Sequence, residues 1–318
     1  MTPTQLRAFA ATVRLGSVKA AAADLDVSEA AVSMHVAHLR KELGDKLFTR
    51  AASGLAFTPG GLRLASRAIE MLGLQDRTVL EVSQAGAGRR LLRLATSSLF
   101  AEHAAPGLIE LFAGRAADLN VELSVHNPQR FGTLLVTRAV DAAIGPRPAT
   151  LEEPMSCTTF LNYQVLAVVG TGHPLVSGRV GLPELRAQTW LLGPSAVGRI
   201  GMVPTVLRRI NVPEENQRIF QSHAAAIEEA KHGKGVALAV AFAVAKDLAA
   251  GDLHQVVTPV LPARGSWNIL TLPDRDAPPV AAELRRFVTT PRATQAMLKG
   301  SGVTAGRFRP AVHVTLWS

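Results

Sequence analysis

Three stretches near the start of the chain carry apolar residues at the spacing of a helix. Leu6, Phe9 and Val13 lie three or four residues apart and therefore share one helical face. Ser17 and Ser28 each precede a further stretch of this kind. Serine is a preferred N-cap because its hydroxyl accepts a hydrogen bond from a free backbone N–H of the first turn. The pattern predicts three helices joined by tight turns.

The third of these helices has two different faces. Val32, Val36, Leu39 and Leu43 lie on one side, which predicts packing against the other helices. The opposite side starts with small and polar residues, which can approach base edges in the major groove. The pattern favours a helix-turn-helix over an ordinary three-helix domain with a solvated face. The candidate DNA-contacting residues of this helix are Ser28, Glu29, Ala30, Ser33 and Met34.

Two short strand-like segments follow. Residues 46–50 and 55–58 flank the turn residues Ser53-Gly54, which predicts a β-hairpin that would form a wing beside the helices. Lys46 and Arg50 are expected to lie near the phosphate backbone of DNA, where cations position the protein without reading the base sequence.

A longer helical segment begins at Thr58-Pro59, an N-cap followed by proline at the first helical position. Ala65, Leu72 and Val79 are seven residues apart, a short coiled-coil-like spacing that indicates dimerisation. Packing of this face against its own domain is the alternative. The segment 85–90, Ala-Gly-Ala-Gly-Arg-Arg, predicts a hinge.

Strand-like and helical segments alternate through the rest of the chain, with predicted helices at 134–139, 222–227 and 280–288 among them. This alternation predicts an α/β domain with a largely parallel sheet. Ligands of such sheets bind beyond the carboxyl ends of the strands. The predicted strands are residues 91–95, 121–125, 141–145, 163–170, 190–193, 236–240 and 267–272.

The composition narrows the class of function. A net charge of +9 and a pI of about 10.5 fit a polyanionic partner such as nucleic acid. Cys157 is the single cysteine, which excludes a disulfide within the chain and a cysteine metal cluster and suits a reducing compartment. The N-terminus lacks the apolar core of a signal peptide, and no apolar stretch is long enough to span a bilayer. We therefore expect a cytoplasmic protein without a membrane partner.

No pattern of residues points to catalysis, a metal or a cofactor. His35 and His38 lie three apart on a predicted helix but have no third ligand nearby in the sequence, so no metal site is predicted. No nucleophile motif surrounds Cys157, and neither Ser195 nor Ser222 lies in a Gly-x-Ser-x-Gly context. We expect neither an enzyme nor a cofactor-dependent protein.

The segment from Leu6 to Gly61 resembles the LysR-type transcriptional regulator family. Many positions match in order, so the resemblance is far more specific than a single short motif. The matching runs are Leu6-Arg7-Ala8-Phe9, Gly16-Ser17-Val18-Lys19-Ala20-Ala21, Leu25-Asp26-Val27-Ser28-Glu29-Ala30-Ala31-Val32-Ser33, Leu39, Leu43-Gly44-Asp45-Lys46-Leu47-Phe48-Thr49-Arg50 and Phe57-Thr58-Pro59-Gly60-Gly61.

This chain departs from the family pattern at three of these positions. The family usually has Gln where this chain has Glu29, Pro where it has Ala30, and Glu where it has Arg40. A glutamine side chain both donates and accepts hydrogen bonds at a base edge, whereas an ionised glutamate only accepts them. DNA binding is still expected, but the family's base preference does not carry over.

The resemblance implies a sequence-specific DNA-binding regulator that forms a homodimer, or a homotetramer, and responds to a small metabolite. Its fold would combine a helical winged helix-turn-helix domain with a two-lobed α/β effector domain similar to the periplasmic binding proteins. The expected divisions are a DNA-binding domain at 1–60, a linker helix and hinge at 61–90, an effector domain at 91–298 and a tail at 299–318. Lobe one of the effector domain is expected at 91–162 and 263–298, and lobe two at 163–262.

An effector of this family would bind between the two lobes, at strand ends and helix N-termini. Backbone N–H groups and the helix dipole favour anions there, and an arginine such as Arg199 can pair bidentately with a carboxylate. For each single residue, helix capping is the alternative role. The candidate effector-binding residues are Thr96, Ser97, Ser98, Asn127, Ser195, Arg199, Ser222 and His223.

Two other functions remain open on the sequence. One is an architectural DNA-binding protein without an effector, which would show neither a preferred operator nor a stabilising ligand. The other is a solute-binding or enzymatic α/β protein with a DNA-binding head, which a catalytic turnover assay would distinguish.

Overall fold

The computed structural model describes residues 1–51, 54–151, 154–176, 180–298 and 314–315. Its contacts divide the chain into two compact units. The first unit contains the predicted DNA-binding domain and the second contains the predicted effector domain. Their bounds are Met1–Ala87 with Val136–Ala139, and Gly88–Leu135 with Val140–Ser318.

The first unit begins with three helices, as the sequence predicts. Ser17 and Ser28 cap the second and third of them, each accepting a hydrogen bond from a backbone N–H of the first turn. The first and third helices end at Gly16 and Gly44, both in the left-handed conformation that glycine adopts without strain. The helices are α1 (Pro3–Leu15), α2 (Val18–Asp24) and α3 (Glu29–Leu43).

The apolar face of α3 is the centre of the first unit's core. Val32 packs in a cluster with four alanines of α1 and α2, which lets these helices approach closely. Val36 and Leu39 pack with Phe9, Leu47 and Phe48 in a second cluster. The fourth residue predicted for this face, Leu43, is 43% exposed and lies outside both clusters.

The predicted wing is present. Strands β1 (Phe48–Ala51) and β2 (Gly54–Phe57) pair antiparallel, slightly displaced along the chain from the predicted segments. The next helix, α4 (Pro59–Ala87), is 29 residues long and continues through the first half of the predicted hinge. Alanine at 85 and 87 favours helix, so the change of direction falls later, at Gly88, whose φ is 61°. The prediction of a hinge from residue 85 onward was therefore wrong for its first half.

The second unit starts with alternating strands and helices. Strand β3 lies between β4 and β5, and all three run parallel. The helix expected at 134–139 lies earlier in the chain and ends before Arg138, a non-glycine residue with a φ of 54°. These elements are β3 (Arg90–Thr96), α5 (Ser98–His103), α6 (Ala105–Ala113), β4 (Leu119–Val125), α7 (Phe131–Val136) and β5 (Ala142–Gly145).

The middle of the second unit forms the other half of the sheet. Strand β7 pairs parallel with both β8 and β9, whereas β6 pairs antiparallel with both β9 and β10. The elements are β6 (Ser156–Gly170), α8 (Leu182–Arg186), β7 (Trp190–Leu192), α9 (Met202–Ile210), β8 (Gln217–Ile219), α10 (His223–Lys231), β9 (Val236–Val240), α11 (Ala245–Ala250) and β10 (Leu253–Val256).

Two long antiparallel strands join the two halves into one sheet. The last elements are β11 (Ala263–Thr271), α12 (Pro279–Val288), α13 (Pro291–Leu298) and the short β12 (Val314–Thr315). The strand order is β12-β4-β3-β5-β11-β6-β9-β7-β8, with β10 beside β6. The sheet is mixed rather than largely parallel because β6 and β11 pair antiparallel along their length. Apart from β12, the predicted tail lies outside the described residues.

Aromatic side chains fill the core where β6 and β11 cross between the halves. Trp267 of β11 is fully buried and stacks on Tyr163 of β6, with ring centroids 4.4 Å apart. Phe100 of α5 meets the same indole edge-on at 5.1 Å. Among the described residues, no helix has the length and apolar character needed to cross a membrane.

Candidate functional site

The residues predicted to contact DNA lie on one exposed surface of the first unit. Glu29, Ala30, Ser33 and Met34 are all exposed at the start of α3, and Met34 is 50% exposed although it is apolar. Ser28 is also exposed, and its Oγ accepts a hydrogen bond from Ala31 N at 3.2 Å, so it caps α3.

The two basic residues predicted for the wing are placed differently. Lys46 is exposed just before β1. Arg50 lies within β1, and its side chain is outside the part of the structure that is described. The roles of both residues toward DNA stay predictions.

Arg40, one of the departures from the family pattern, holds the wing against α3. Its Nη2 donates a hydrogen bond to the carbonyl oxygen of Phe48 at 2.7 Å, and its guanidinium lies 4.6 Å from the centroid of the Phe48 ring. A glutamate at this position could make neither contact, because it has no donor and no positive charge. The substitution therefore has a structural role in this chain.

A network of polar contacts fixes the wing to the start of α4. Asp45 accepts hydrogen bonds from Leu47 N at 2.6 Å and Thr58 Oγ1 at 2.7 Å. The bonds from Thr58 and Leu47 lower the pKa of Asp45 below its usual value. Thr58 Oγ1 in turn accepts from Gly61 N at 2.9 Å, as the predicted N-cap should. These contacts set the position of the predicted DNA-binding surface within the first unit.

The second unit contains a cavity of about 960 Å³ on the strands that join its halves. Three arginines line it: Arg147 follows β5, Arg199 precedes α9, and Arg264 lies in β11. No aspartate or glutamate is among the described residues that line it. Within this described lining, three guanidinium groups and no carboxylate favour an anion.

Tyr163 forms part of the wall of this cavity. Its side chain is almost fully buried, and burial raises the pKa of Tyr163 to about 12. Gly265 lies directly against the ring, since a Cβ there would overlap the phenol. The cavity thus combines positive charge with one neutral aromatic surface, and Phe242 adds a second.

The pKa of Tyr163 predicts an effect of alkaline pH on stability. Its folded value of about 12 lies above the roughly 10 expected for an unfolded chain. The contribution of the protonated Tyr163 to the free energy of unfolding is therefore complete below pH ~10. It is lost as the pH rises toward ~12, and the loss amounts to at most about 3 kcal/mol. Tyr163 is the only tyrosine, so absorbance reports it directly. We expect no tyrosinate in folded protein at about pH 10, and a smaller alkaline loss of stability in Tyr163→Phe; tyrosinate there would contradict this.

A chain of hydrogen bonds links Glu102 of α5 to the start of α10. Glu102 Oε2 lies 2.8 Å from His223 Nδ1, and His223 Nε2 lies 2.8 Å from Ser195 Oγ. The carboxylate also accepts from the backbone N–H groups of His223 and Ala224, at 2.8 and 2.5 Å. Burial alone would raise the pKa of Glu102, but the bonds from His223 and Ala224 outweigh it and lower the pKa to about 2. Glu102 is therefore an anion at the N-terminus of α10.

The structure separates the predicted effector residues into groups. Of the eight predicted effector residues, only Arg199 lines the cavity that contains the three arginines, called the arginine cavity below. Ser195 and His223 belong to the hydrogen-bonded chain with Glu102. Two others cap helices, as the alternative interpretation held: Ser222 accepts from Ala225 N, and Asn127 accepts from Gln129 N.

The remaining three lie at the end of β3 and the start of α5. Thr96 and Ser97 are buried, and within the described residues their hydroxyls have no hydrogen-bond partner. Ser98 is half-buried. Buried hydroxyls without a partner are unfavourable unless water or a ligand satisfies them. Thr96 and Ser97 therefore stay candidates for ligand contact.

Sequence reasoning missed Glu102, Tyr163, Arg147 and Arg264. Glu102 contacts a residue 121 positions away, and no spacing rule connects the two. Arg147 follows a predicted buried strand and could have been selected by the rule that ligands bind beyond strand ends. Arg264 precedes the segment predicted as the last strand, which in the structure begins earlier, at Ala263.

Comparison with known protein families agrees with this architecture. Residues 3–62 match the model of the "Bacterial regulatory helix-turn-helix protein, lysR family", and residues 85–291 match the model of the "LysR substrate binding domain". An "Uncharacterized HTH-type transcriptional regulator" of Mycobacterium tuberculosis is 58% identical over 322 residues, covering 100% of both chains. The "RuBisCO operon transcriptional regulator" of Allochromatium vinosum is 26% identical over 294 residues, covering 91% of this chain and 96% of its own.

Solved structures share the fold. Full-length CbnR complexed with its target DNA has a TM-score of 0.55 and 18% identity, covering 93% of this chain and 100% of the other. The class that fold and site define is a DNA-binding protein with a ligand-binding α/β domain. The chain belongs to the LysR family of bacterial transcriptional regulators. The relatives named above are described as regulators rather than enzymes, in agreement with the expectation from the sequence.

Proposed function

We propose that a small anionic metabolite binds in the arginine-lined cavity and modulates sequence-specific binding of this regulator to DNA. The observation that carries the proposal is the convergence of Arg147, Arg199 and Arg264 on one cavity whose described lining contains no carboxylate. Guanidinium groups form paired, charge-assisted hydrogen bonds with carboxylates and phosphates. The aromatic walls from Tyr163 and Phe242 suit a ligand that also has an apolar part.

The position of the cavity supports a regulatory role. Tyr163 and Arg264 lie on β6 and β11, the two strands that join the halves of the sheet. A ligand that contacts residues of both halves of the sheet would favour the conformation in which these residues lie closest together. A ligand changes a conformational equilibrium only by the difference in its affinity for the two states.

We further propose that the chain acts as a homodimer, or a homotetramer, through α4. Several apolar side chains of this helix are exposed in the single chain, and their removal from water would be favourable. A second copy of the helix would cover them. Sedimentation of the intact chain should give the mass of two or four chains. The exposed residues are Leu62, Ile69, Met71, Leu74, Val79 and Val82.

DNA binding and ligand control are tested together on the purified intact chain. Binding to the DNA just upstream of its own gene is compared with a scrambled fragment of equal length, over a range of salt concentrations. A specific regulator should prefer the upstream fragment, with an affinity that falls as salt rises. Equal, weak binding to both fragments, unchanged by any ligand, would favour an architectural protein.

The ligand is sought by thermal shift with a panel of small carboxylates and phosphate esters. We expect stabilisation by at least one anion, and about 10- to 100-fold weaker binding of it to Arg199→Ala and to Arg264→Ala, since a hydrogen bond to a charged group contributes about 1.5–3 kcal/mol. Arg275→Ala is the matched control, because Arg275 is 81% exposed and lies outside the cavity. Equal losses in all three variants would overturn the assignment of the cavity.

A further inference from the structure

A compact group of metal-binding residue types lies away from the arginine cavity. Glu102 and His103 are the last two residues of α5, and His223 is the first residue of α10. One ligand atom from each of the three lies within 4.8 Å of the others. None of the three lines the arginine cavity. This group therefore stands independently of the proposed anion site.

His103 gives the group a property that hydrogen bonding within the chain does not explain. Its Nε2 is buried and has no hydrogen-bond partner among the described residues. The ring centroid lies 5.6 Å from that of His223, and the two planes are tilted by 59°. Buried polar atoms are nearly always satisfied, so a ring nitrogen of this kind indicates a bound water or ion. A carboxylate and a second imidazole beside it favour the ion, because together they are a donor set of zinc sites.

We propose that Glu102, His103 and His223 bind one divalent transition-metal ion of the zinc type. Two imidazole nitrogens and one carboxylate oxygen are three of the four ligands of a tetrahedral zinc ion, and the fourth position is left for water or another ligand. The side chains need to draw together, since zinc-bound nitrogen and oxygen atoms lie about 2.0–2.2 Å from the metal. The two histidines would bind the ion as neutral imidazoles, through a ring nitrogen that carries no proton.

Two features of the surroundings oppose the ion, and neither is strong enough to exclude it. The N-terminus of α10 carries a partial positive charge, which weakens cation binding by a factor on the order of 10. Both ring nitrogens of His223 are already hydrogen-bonded, one to Glu102 and one to Ser195, so one of these bonds is lost or rearranged when the metal enters. Against this, Glu102 is already ionised and held in place by the backbone N–H of Ala224. A pre-positioned carboxylate loses little freedom when it binds a metal.

The ion would connect the two halves of the second unit. Helix α5 follows β3 of the first half, and α10 precedes β9 of the second half. Metal ligands from both would make the approach of α5 to α10 depend on the metal. Zinc availability would then be a second input to this regulator.

The test is metal binding by the intact chain after treatment with a chelator. Zn²⁺ is titrated in competition with a chromophoric chelator, and Co²⁺ is added separately to report geometry through its visible absorption bands. We expect one Zn²⁺ per chain with a micromolar or tighter Kd, and the strong visible bands of tetrahedral Co²⁺. His103→Gln should weaken Zn²⁺ binding at least about 100-fold, since even residues that only support a ligand change metal affinity by about 10- to 100-fold.

Two further variants make the outcome decisive. Glu102→Gln should weaken the same site, whereas His232→Gln should not, because His232 is exposed at the end of α10 and outside the group. Each variant is first checked by circular dichroism, so that loss of folding is not read as loss of a ligand. Binding weaker than micromolar in the unaltered chain would overturn the proposal. Tight binding that survives His103→Gln, or is lost equally in His232→Gln, would also overturn it.

Discussion

Glu102→Ala should destabilise the effector domain by about 2–4 kcal/mol at neutral pH, because it leaves three donors without an acceptor, two of them on the buried residue His223. The unpaired groups would be the backbone N–H groups of His223 and Ala224 and the Nδ1–H of His223. His223 is only 2% exposed, so water cannot reach it easily. The free energy of unfolding is measured with urea in the presence of a chelator, which removes any contribution from bound metal.

Chemical rescue separates this role of Glu102 from simple loss of packing. Acetate and formate can enter the space left by the side chain and accept the same three hydrogen bonds. Either anion should restore part of the stability of Glu102→Ala and leave the unaltered chain unchanged. Chloride at equal ionic strength should not, because it cannot accept from donors spaced for a carboxylate. Glu215→Ala is the control, since Glu215 is exposed. Equal stability of Glu102→Ala and the unaltered chain would refute the role.

The position of Glu102 changes the interpretation of the residues first predicted to hold an anionic effector. Ser222 and His223 are at a helix N-terminus, which is a suitable anion site in principle. In the structure the chain's own carboxylate already occupies it. The physical rule was sound, but the anion comes from within the protein. An external anion has to compete with Glu102 there, whereas no carboxylate lines the described part of the arginine cavity.

The N-terminal unit could be predicted in detail because its signals are local. Ser17 and Ser28 cap the helices that directly follow them, and Val32, Val36 and Leu39 recur at the helical period. Each of these rules connects residues only a few positions apart. The prediction failed at Leu43, where the helical period indicates a buried side chain and the structure leaves it 43% exposed.

For the effector domain, the sequence predicted only the fold class, an α/β domain. Buried strands such as Val236–Val240 were located well, because a short apolar run is itself the signal. The length of β6 was underestimated, since its first half, Ser-Cys-Thr-Thr-Phe-Leu-Asn, has neither a regular alternation nor a continuous apolar run and was not recognised as strand. The groups that form the candidate sites come from distant segments. Arg147 and Arg264, like Glu102 and His223, are brought together by sheet topology, which spacing along the chain does not contain.

The second prediction with a large expected effect on stability concerns the junction between the wing and α4. Gly61→Ala should destabilise the first unit by about 3 kcal/mol, at the upper end for an added methyl group in a packed site. A Cβ on Gly61 would overlap the carbonyl oxygen of Leu47. That carbonyl cannot move away easily, because it accepts a hydrogen bond from Thr58 N at 3.0 Å and Leu47 itself has a φ of 61°. The variant should also lose affinity for DNA, since the junction holds the predicted DNA-binding surface.

The chain allows the two units to be followed separately in one denaturation. Trp190 and Trp267 are fully buried in the second unit, so a change in their fluorescence reports that unit, while circular dichroism at helical wavelengths reports both units. The third tryptophan, Trp317, lies outside the described residues. For Gly61→Ala we expect part of the helical signal to be lost at lower urea, with the tryptophan transition unchanged. Gly172→Ala is the matched control, because a Cβ on Gly172 would meet nothing within 4 Å. If Gly61→Ala left both transitions and DNA binding intact, the close approach of α4 to Leu47 would not be what orders the wing. If both transitions moved together, the two units would unfold as one, and the stability of the DNA-binding surface would depend on the effector domain as well as on its own core.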